Sequence, residues 1–185
     1  MKLLTKWAER TLWAAGAVAL AYVGWTYGVG AYEQSRGNEL FLQQAAVGGS
    51  GQPNLMEGSL VGRLEIPRLG VSTIVFEGTS DATLDKGVGH LSGSAFPELG
   101  GNVVLAAHRD TFFRPLKDIR VGDVITLRTP RAEVRYVVRE TQLVEPNEVE
   151  VVKPTKEAVL TLLTCYPFSY LGSAPDRFVV RAMVD

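Results

Sequence analysis

A single cysteine, Cys165, closes the run Thr161-Leu162-Leu163-Thr164-Cys165 in a chain of 185 residues. A thiol is nucleophilic as its thiolate. Chemistry at Cys165 therefore calls for a proton carrier nearby and for a donor that holds negative charge on the attacked carbonyl. The apolar run Val103-Val104-Leu105-Ala106-Ala107 delivers His108 at its C-terminal end, where imidazole acts as acid or base. Arg177 opens the strand-like run 177–184, and a guanidinium stabilises an oxyanion without itself titrating. Each residue also has a plain structural reading, since a buried cysteine is commonly a small core residue and a strand-end arginine a solvated charge.

The words around these residues make the set specific. Ala106-Ala107-His108-Arg109-Asp110, Thr161-Leu162-Leu163-Thr164-Cys165 and Ala174-Pro175-Asp176-Arg177-Phe178 resemble the His, TLxTC and Arg segments of sortases, the cell-surface cysteine transpeptidases. Gly87-Val88-Gly89-His90 and Gly101-Asn102-Val103-Val104 lead into the His segment, and Cys165-Tyr166-Pro167-Phe168 follows the nucleophile. The whole looks most similar to class D sortases, from about residue 60 to the C-terminus.

The resemblance implies that Cys165 attacks the threonine carbonyl of an LPxT-type sorting signal and forms a thioester. It implies that His108 protonates the departing amine and then deprotonates an incoming one, from a peptidoglycan peptide or a pilin lysine. Arg177 would hold the oxyanion or position the signal. His90, the other histidine, lies in a Gly- and Ser-rich segment, 87–94, which reads as a loop where it packs or bonds backbone. Asp110 is two residues from His108, close enough to orient the ring, but reads better as a helix cap.

Two histidines and one cysteine without tight spacing argue against zinc. Glu145, Glu148 and Glu150 are the acidic loop residues available for the calcium that some sortases bind, and no cofactor is expected otherwise. A papain-like protease would put the histidine after the cysteine, and an L,D-transpeptidase would carry His-Gly-Cys; neither order is present. The non-enzymatic alternative is a membrane-tethered β-barrel that binds envelope components, with an incidental cysteine.

The elements that must position these groups fit one domain with an appendage. Nineteen basic and twenty acidic side chains, interspersed, give a net charge of −1 and no case for nucleic acid. Residues 11–31 contain no charge, and as a helix they cover about 30 Å of hydrocarbon. Trp13 lies near one end and Trp25, Tyr27 and Tyr32 toward the other, as interfacial aromatics do. Lys2, Lys6 and Arg10 precede the run, so residues 1–10 are expected in the cytoplasm and everything after residue 31 outside, a single-pass type II arrangement in the plasma membrane. The rival is a cleaved signal peptide, which the length of the apolar run and the lack of a sharp small-x-small site disfavour.

Residues 32–57 read as an extracytoplasmic helix, carried by Leu40, Phe41, Ala45 and Ala46, and a flexible linker with the tether Gly48-Gly49-Ser50-Gly51-Gln52-Pro53. Residues 58–185 read as the catalytic domain. Alternation predicts strands at 59–66, 71–76, 123–127, 134–144, 159–165 and 178–184, and the continuous apolar run 102–107 predicts a central one. In the first, Leu60, Gly62, Leu64 and Ile66 share a face. In the last, Phe178, Val180, Ala182 and Val184 are expected to fill the core, and Cys165 and Arg177 to stand off it. A turn or short helix is expected at 81–86, a capped turn near Asp110 or Thr111, and a loop at 145–156. The fold class is mostly β: an eight-stranded, closed or nearly closed barrel with short helices, preceded by one transmembrane helix.

Overall fold

A computed structural model describes residues 2–47, 55–169 and 172–185. An N-terminal helix, α1 (Lys2–Val47), precedes eight strands: β1 (Leu60–Ile66), β2 (Val71–Glu77), β3 (Val88–His90), β4 (Asn102–Ala106), β5 (Val124–Arg128), β6 (Glu133–Val144), β7 (Val159–Tyr166) and β8 (Asp176–Val184). The four-residue helix α2 (Asp81–Leu84) joins β2 to β3. The strands close into a barrel in the order β1-β2-β3-β4-β7-β8-β6-β5.

The barrel closes because alternate side chains fill its interior. Leu64, Ile66, Leu105, Leu127, Leu160, Leu162, Val180 and Ala182 meet Phe113 and Leu116 there, all with no exposed surface. Fully burying a large aliphatic side chain contributes roughly 1.5–3 kcal/mol, so this interior is the main favourable term. In β8 the expected core face holds at Val180 and Ala182, with Phe178 packed against the cluster, but Val184 is 44% exposed where the strand leaves the barrel. Val179, on the opposite face, is also buried, covered by Val144 and Val151.

In β1 the expected face shifts. An irregularity in the β1–β2 ladder between Leu60 and Gly62 lets Val61 into the core in place of Leu60. An extra residue in one strand of a pair reverses the side-chain alternation beyond it.

The segment read as a loop at 87–94 contains β3, the strand missing from the sequence reading. It is only three residues long, too short for alternation to show, and pairs parallel with β2 and antiparallel with β4. Neither Asp110 nor Thr111 caps a helix: the 3-10 turn Arg114–Asp118 begins after Phe113, with no side-chain cap. The loop between β6 and β7 carries a 3-10 turn, Val149–Val152. Asn102 holds it to the barrel by donating to the carbonyls of Val151 and Lys153, both at 3.0 Å, while accepting from the Thr161 hydroxyl at 2.7 Å.

Helix α1 is continuous across the two helical stretches expected separately. Its segment Glu9–Phe41 is long enough, and in its apolar stretch apolar enough, to cross a membrane. Trp13, Trp25 and Tyr32 are exposed on it, while the Tyr27 side chain and the 48–53 tether lie outside the described residues. The helix meets the barrel through Gln34, Gly37, Asn38 and Phe41, a stripe at helical spacing that shares only Phe41 with the apolar residues expected to carry the helix. Phe41 is 8% exposed, Asn38 accepts from Arg63, and Leu40 is 41% exposed. The side chains of Ala45 and Ala46 lie outside the described residues.

Candidate active site

Two strand ladders carry the three sequence-selected residues to one place. Cys165, in β7, is the register partner of Arg177 in the antiparallel β8. On its other side β7 runs parallel to β4, and the last pair is Ala106 with Leu163. Counting two residues on along both chains brings His108 level with Cys165. Backbone and hydroxyl bonds hold that extension: the Ala107 amide donates to the Leu163 carbonyl at 3.3 Å, and the Thr164 hydroxyl donates to the Ala107 carbonyl at 2.7 Å.

Parity then decides which way the groups face. Val103, Leu105, Leu160, Leu162, Val180 and Ala182 point into the barrel, so His108, Cys165 and Arg177 occupy outward positions on three adjacent strands. They line one cleft of about 300 Å³, floored by Val104, Ala106 and Leu163. A cysteine and a histidine in one water-accessible cleft can form and resolve a thioester, and the guanidinium supplies donors for an oxyanion.

Each group is held differently. Arg177 donates through Nη1 to the carbonyls of Ala174 (3.3 Å) and Asp176 (3.0 Å), so its own loop fixes the guanidinium. Cys165, partly buried, is followed by Tyr166 and Phe168, which pack with Phe178 at ring distances of 5.4–6.4 Å. Aromatic pairs of this kind contribute about 0.5–1.5 kcal/mol beyond area burial, enough to hold the chain just after the nucleophile. His108 is 34% exposed, with the Asp85 carboxylate 3.4 Å from Nε2. The acidic neighbour is thus Asp85, just after α2, and not Asp110.

Sequence reasoning missed Asp85, and with it Asp81, Leu84 and Leu91 on the cleft wall. The turn at 81–86 was visible, but nothing in its composition says that it folds over β4. The one available signal was the concentration of acidic residues there, which an exposed turn explains equally well.

His90 does not line the cleft. It is fully buried at the end of β3, with Nδ1 2.7 Å from Glu77 Oε2 and Nε2 3.0 Å from the Ala95 carbonyl, which it serves as donor. The Ser92 hydroxyl donates to Glu77 as well, and Phe96 stacks on the ring at 4.8 Å. This network clamps the turn 91–96, which forms one wall of a second cavity of about 500 Å³ and shares Leu91 with the cleft. Glu145, Glu148 and Glu150 are exposed, Glu150 pairs with Lys153, and among the described residues no three acidic, His or Cys side chains gather as a metal site would require.

Residues 64–185 match the family model of the Sortase domain. Sortase D of Bacillus subtilis (strain 168) is 35% identical over 149 residues, covering 80% of this chain and 74% of the relative. A Clostridium perfringens Sortase D5 transpeptidase superposes with a TM-score of 0.71 at 23% identity over 85% of this chain and 99% of that one. A Clostridium perfringens sortase C, solved with the C-terminal cell wall sorting motif, superposes with a TM-score of 0.66 at 28% identity, over 83% and 88% of the two chains.

Proposed function

The chain belongs to the sortase family of cysteine transpeptidases, and from that membership we propose that it cleaves an LPxT-type sorting signal after threonine and transfers the acyl group to an amine. The observation that carries this reading is the cleft itself, where Cys165, His108 and Arg177 stand on three adjacent strand ends. It favours catalysis over a non-enzymatic binding module, which needs no such convergence.

In the proposed reaction Sγ of Cys165 attacks the threonine carbonyl carbon, and the carbonyl electron pair moves to oxygen. Donors of Arg177 hold that oxyanion, a role typically worth ~10²- to 10³-fold in rate. The tetrahedral intermediate collapses, the C–N bond breaks, and His108 gives a proton to the departing amine, leaving a thioester. The incoming amine then attacks the same carbon, His108 takes its proton, and the thiolate leaves as the new amide forms. These steps use only the side chains named and the two substrates, with no cofactor.

The larger cavity beside the cleft has apolar walls at Phe96, Leu99, Val152 and Pro154, suited to the leucine and proline that precede the scissile bond. The amine acceptor in this reading is a peptidoglycan peptide or a pilin lysine, and the resemblance to class D sortases favours an LPxTA-like signal. Helix α1 anchors the enzyme in the plasma membrane with the barrel outside.

Mass spectrometry of the full chain incubated with a panel of LPxTx peptides tests the reading. The expected product is an adduct with the mass of the acylated enzyme, lacking the residue after threonine, and Cys165→Ala should abolish it while leaving the barrel folded. An adduct that persists in Cys165→Ala would overturn the assignment of the nucleophile.

A further inference from the structure

Asp85 and Gln34 are two polar residues that the proposed reaction leaves without a role, and their contacts run in series from α1 to the catalytic cleft. Asp85 follows α2, where its amide donates to the Asp81 carbonyl at 2.9 Å and the next two amides, Lys86 and Gly87, donate to Thr83. Its amide is thus used in closing the turn. Its carboxylate instead reaches across to His108, 3.4 Å from Nε2.

Gln34 holds the same turn from the other side. Its Nε2 donates to the Lys86 carbonyl at 2.7 Å, and its Oε1 accepts from the Ile74 amide at 2.7 Å and the Thr73 hydroxyl at 3.2 Å. The reason lies in the barrel. β2 and β3 pair only from Val75 with Val88 onward, so the Ile74 amide lies below the last rung of that ladder, and the glutamine amide stands where a strand would. A buried amide without an acceptor is costly, which gives Gln34 a firm seat.

The seat is tight. A Cβ on Gly87 would lie 2.8 Å from Gln34 Nε2 and 2.7 Å from the Ile74 carbonyl, and one on Gly37 would lie 3.0 Å from the Ile74 side chain. Only residues without a Cβ allow α1 to approach this closely. One turn earlier in α1, a Cβ on Gly30 would be 3.6 Å from the Asp85 carbonyl, so the turn is in contact with the helix at two levels.

We propose that Asp85 is a positioning residue for His108, and that Gln34 of α1 keeps the turn bearing Asp85 in place. The proposal rests on the transpeptidase reading above. Whenever His108 holds the proton of the thiol or of the acceptor amine, the ring is a cation, and the Asp85 carboxylate stabilises it and biases its orientation. Asp85 does not line the cleft and reaches the reaction only through the His108 ring, so its effect falls on turnover and not on substrate binding. The pair faces water, with Asp85 72% and His108 34% exposed, so the effect is modest and is screened by salt.

The test uses the full chain in detergent micelles, an LPxTA peptide and an amine acceptor, with kcat and KM read separately. Asp85→Ala should lower kcat about three- to tenfold with KM unchanged, and Asp85→Glu should restore most of it. Raising ionic strength from about 0.05 M to about 0.5 M should slow the wild type and leave Asp85→Ala unaffected. Gln34→Ala should also lower kcat, and the double variant should be no slower than Asp85→Ala, because both act on one contact. An Asp85→Ala enzyme with wild-type kcat, or with a loss that Asp85→Glu does not relieve, overturns the positioning role; additive losses in the double variant overturn the part given to Gln34. The wild-type rate tests transpeptidation and the variant ratios test this proposal, so the two fail separately.

Discussion

His90 ends β3 and His108 follows the neighbouring β4, and their surroundings divide the work between them. His108 is partly exposed in the cleft, and in the proposed reaction its ring serves first as acid and then as base. His108→Ala should therefore slow single-turnover acylation by ~10²- to 10⁴-fold with little effect on folding. His90 is locked between Glu77 and the Ala95 carbonyl with no exposed surface. His90→Ala takes away the partner of Oε2 of Glu77, which is 6% exposed, and leaving a buried polar group unsatisfied costs about 1–3 kcal/mol. Urea denaturation should report that loss, while the folded fraction, counted by titrating Cys165, should keep most of the acylation rate. A folded His90→Ala enzyme as slow as His108→Ala would reverse the two roles.

The strands that position the site were legible in the sequence where alternation ran for five residues or more, as in β6 and β7, or where a continuous apolar run marked a doubly covered strand, as in β4. His108, Cys165 and Arg177 were legible because each stands at a strand end inside a recognisable word. β3 was not, because three residues carry no period, and so His90 read as a loop residue. The docking stripe of α1 was not legible either, since two of its four members are the polar Gln34 and Asn38, which serve hydrogen bonds and not apolar burial. Another contact beyond the reach of periodicity joins the 3-10 turn Pro67–Leu69 to the start of β5, where Arg68 donates to both carboxylate oxygens of Asp123. These bonds, with a further one from the Arg120 amide at 2.8 Å, hold the Asp123 carboxyl below the usual aspartate range. A lowered native value means that the folded state gains stability when the group is ionised. The gain is complete above the unfolded value of about 3.9 and fades as pH falls through the native one. Asp123→Asn should thus cost about 1 kcal/mol near neutral pH, the low end for a charged bond because Arg68 is 41% exposed. The gap between variant and wild type should close below about pH 4, as followed by thermal melts across pH. A gap that widened in acid would contradict the assigned contact.

At the scale of the whole chain, the docking of α1 bears on where the barrel sits. If the helix crosses the membrane through residues 11–31, Gln34 lies within one helical turn of the span's outer end, and its bonds to the β2 edge and the Asp85 turn hold the barrel there. The height of the active site above the lipid is then set by helix contacts and not by linker length. The orientation proposed for the span rests on charge. Residues 11–31 contain no charged side chain, each of which would oppose insertion by roughly 2.5–3.5 kcal/mol at the bilayer centre, while Lys2, Lys6 and Arg10 precede them. In the proposed arrangement that distribution keeps the N-terminus in the cytoplasm and places the barrel outside. In cells carrying the chain with a different epitope at each end, protease added outside should remove the C-terminal epitope and spare the N-terminal one. The surviving fragment should stay with the membrane fraction and resist extraction at high salt, as an apolar span does and a charge-bound peripheral protein does not. A protected C-terminal epitope, or a soluble form beginning after residue 31, would overturn the anchored type II arrangement. In the second case the docked stripe at 34–41 would still cap the Ile74 amide, and the dependence of His108 on Gln34 would survive the loss of the membrane span.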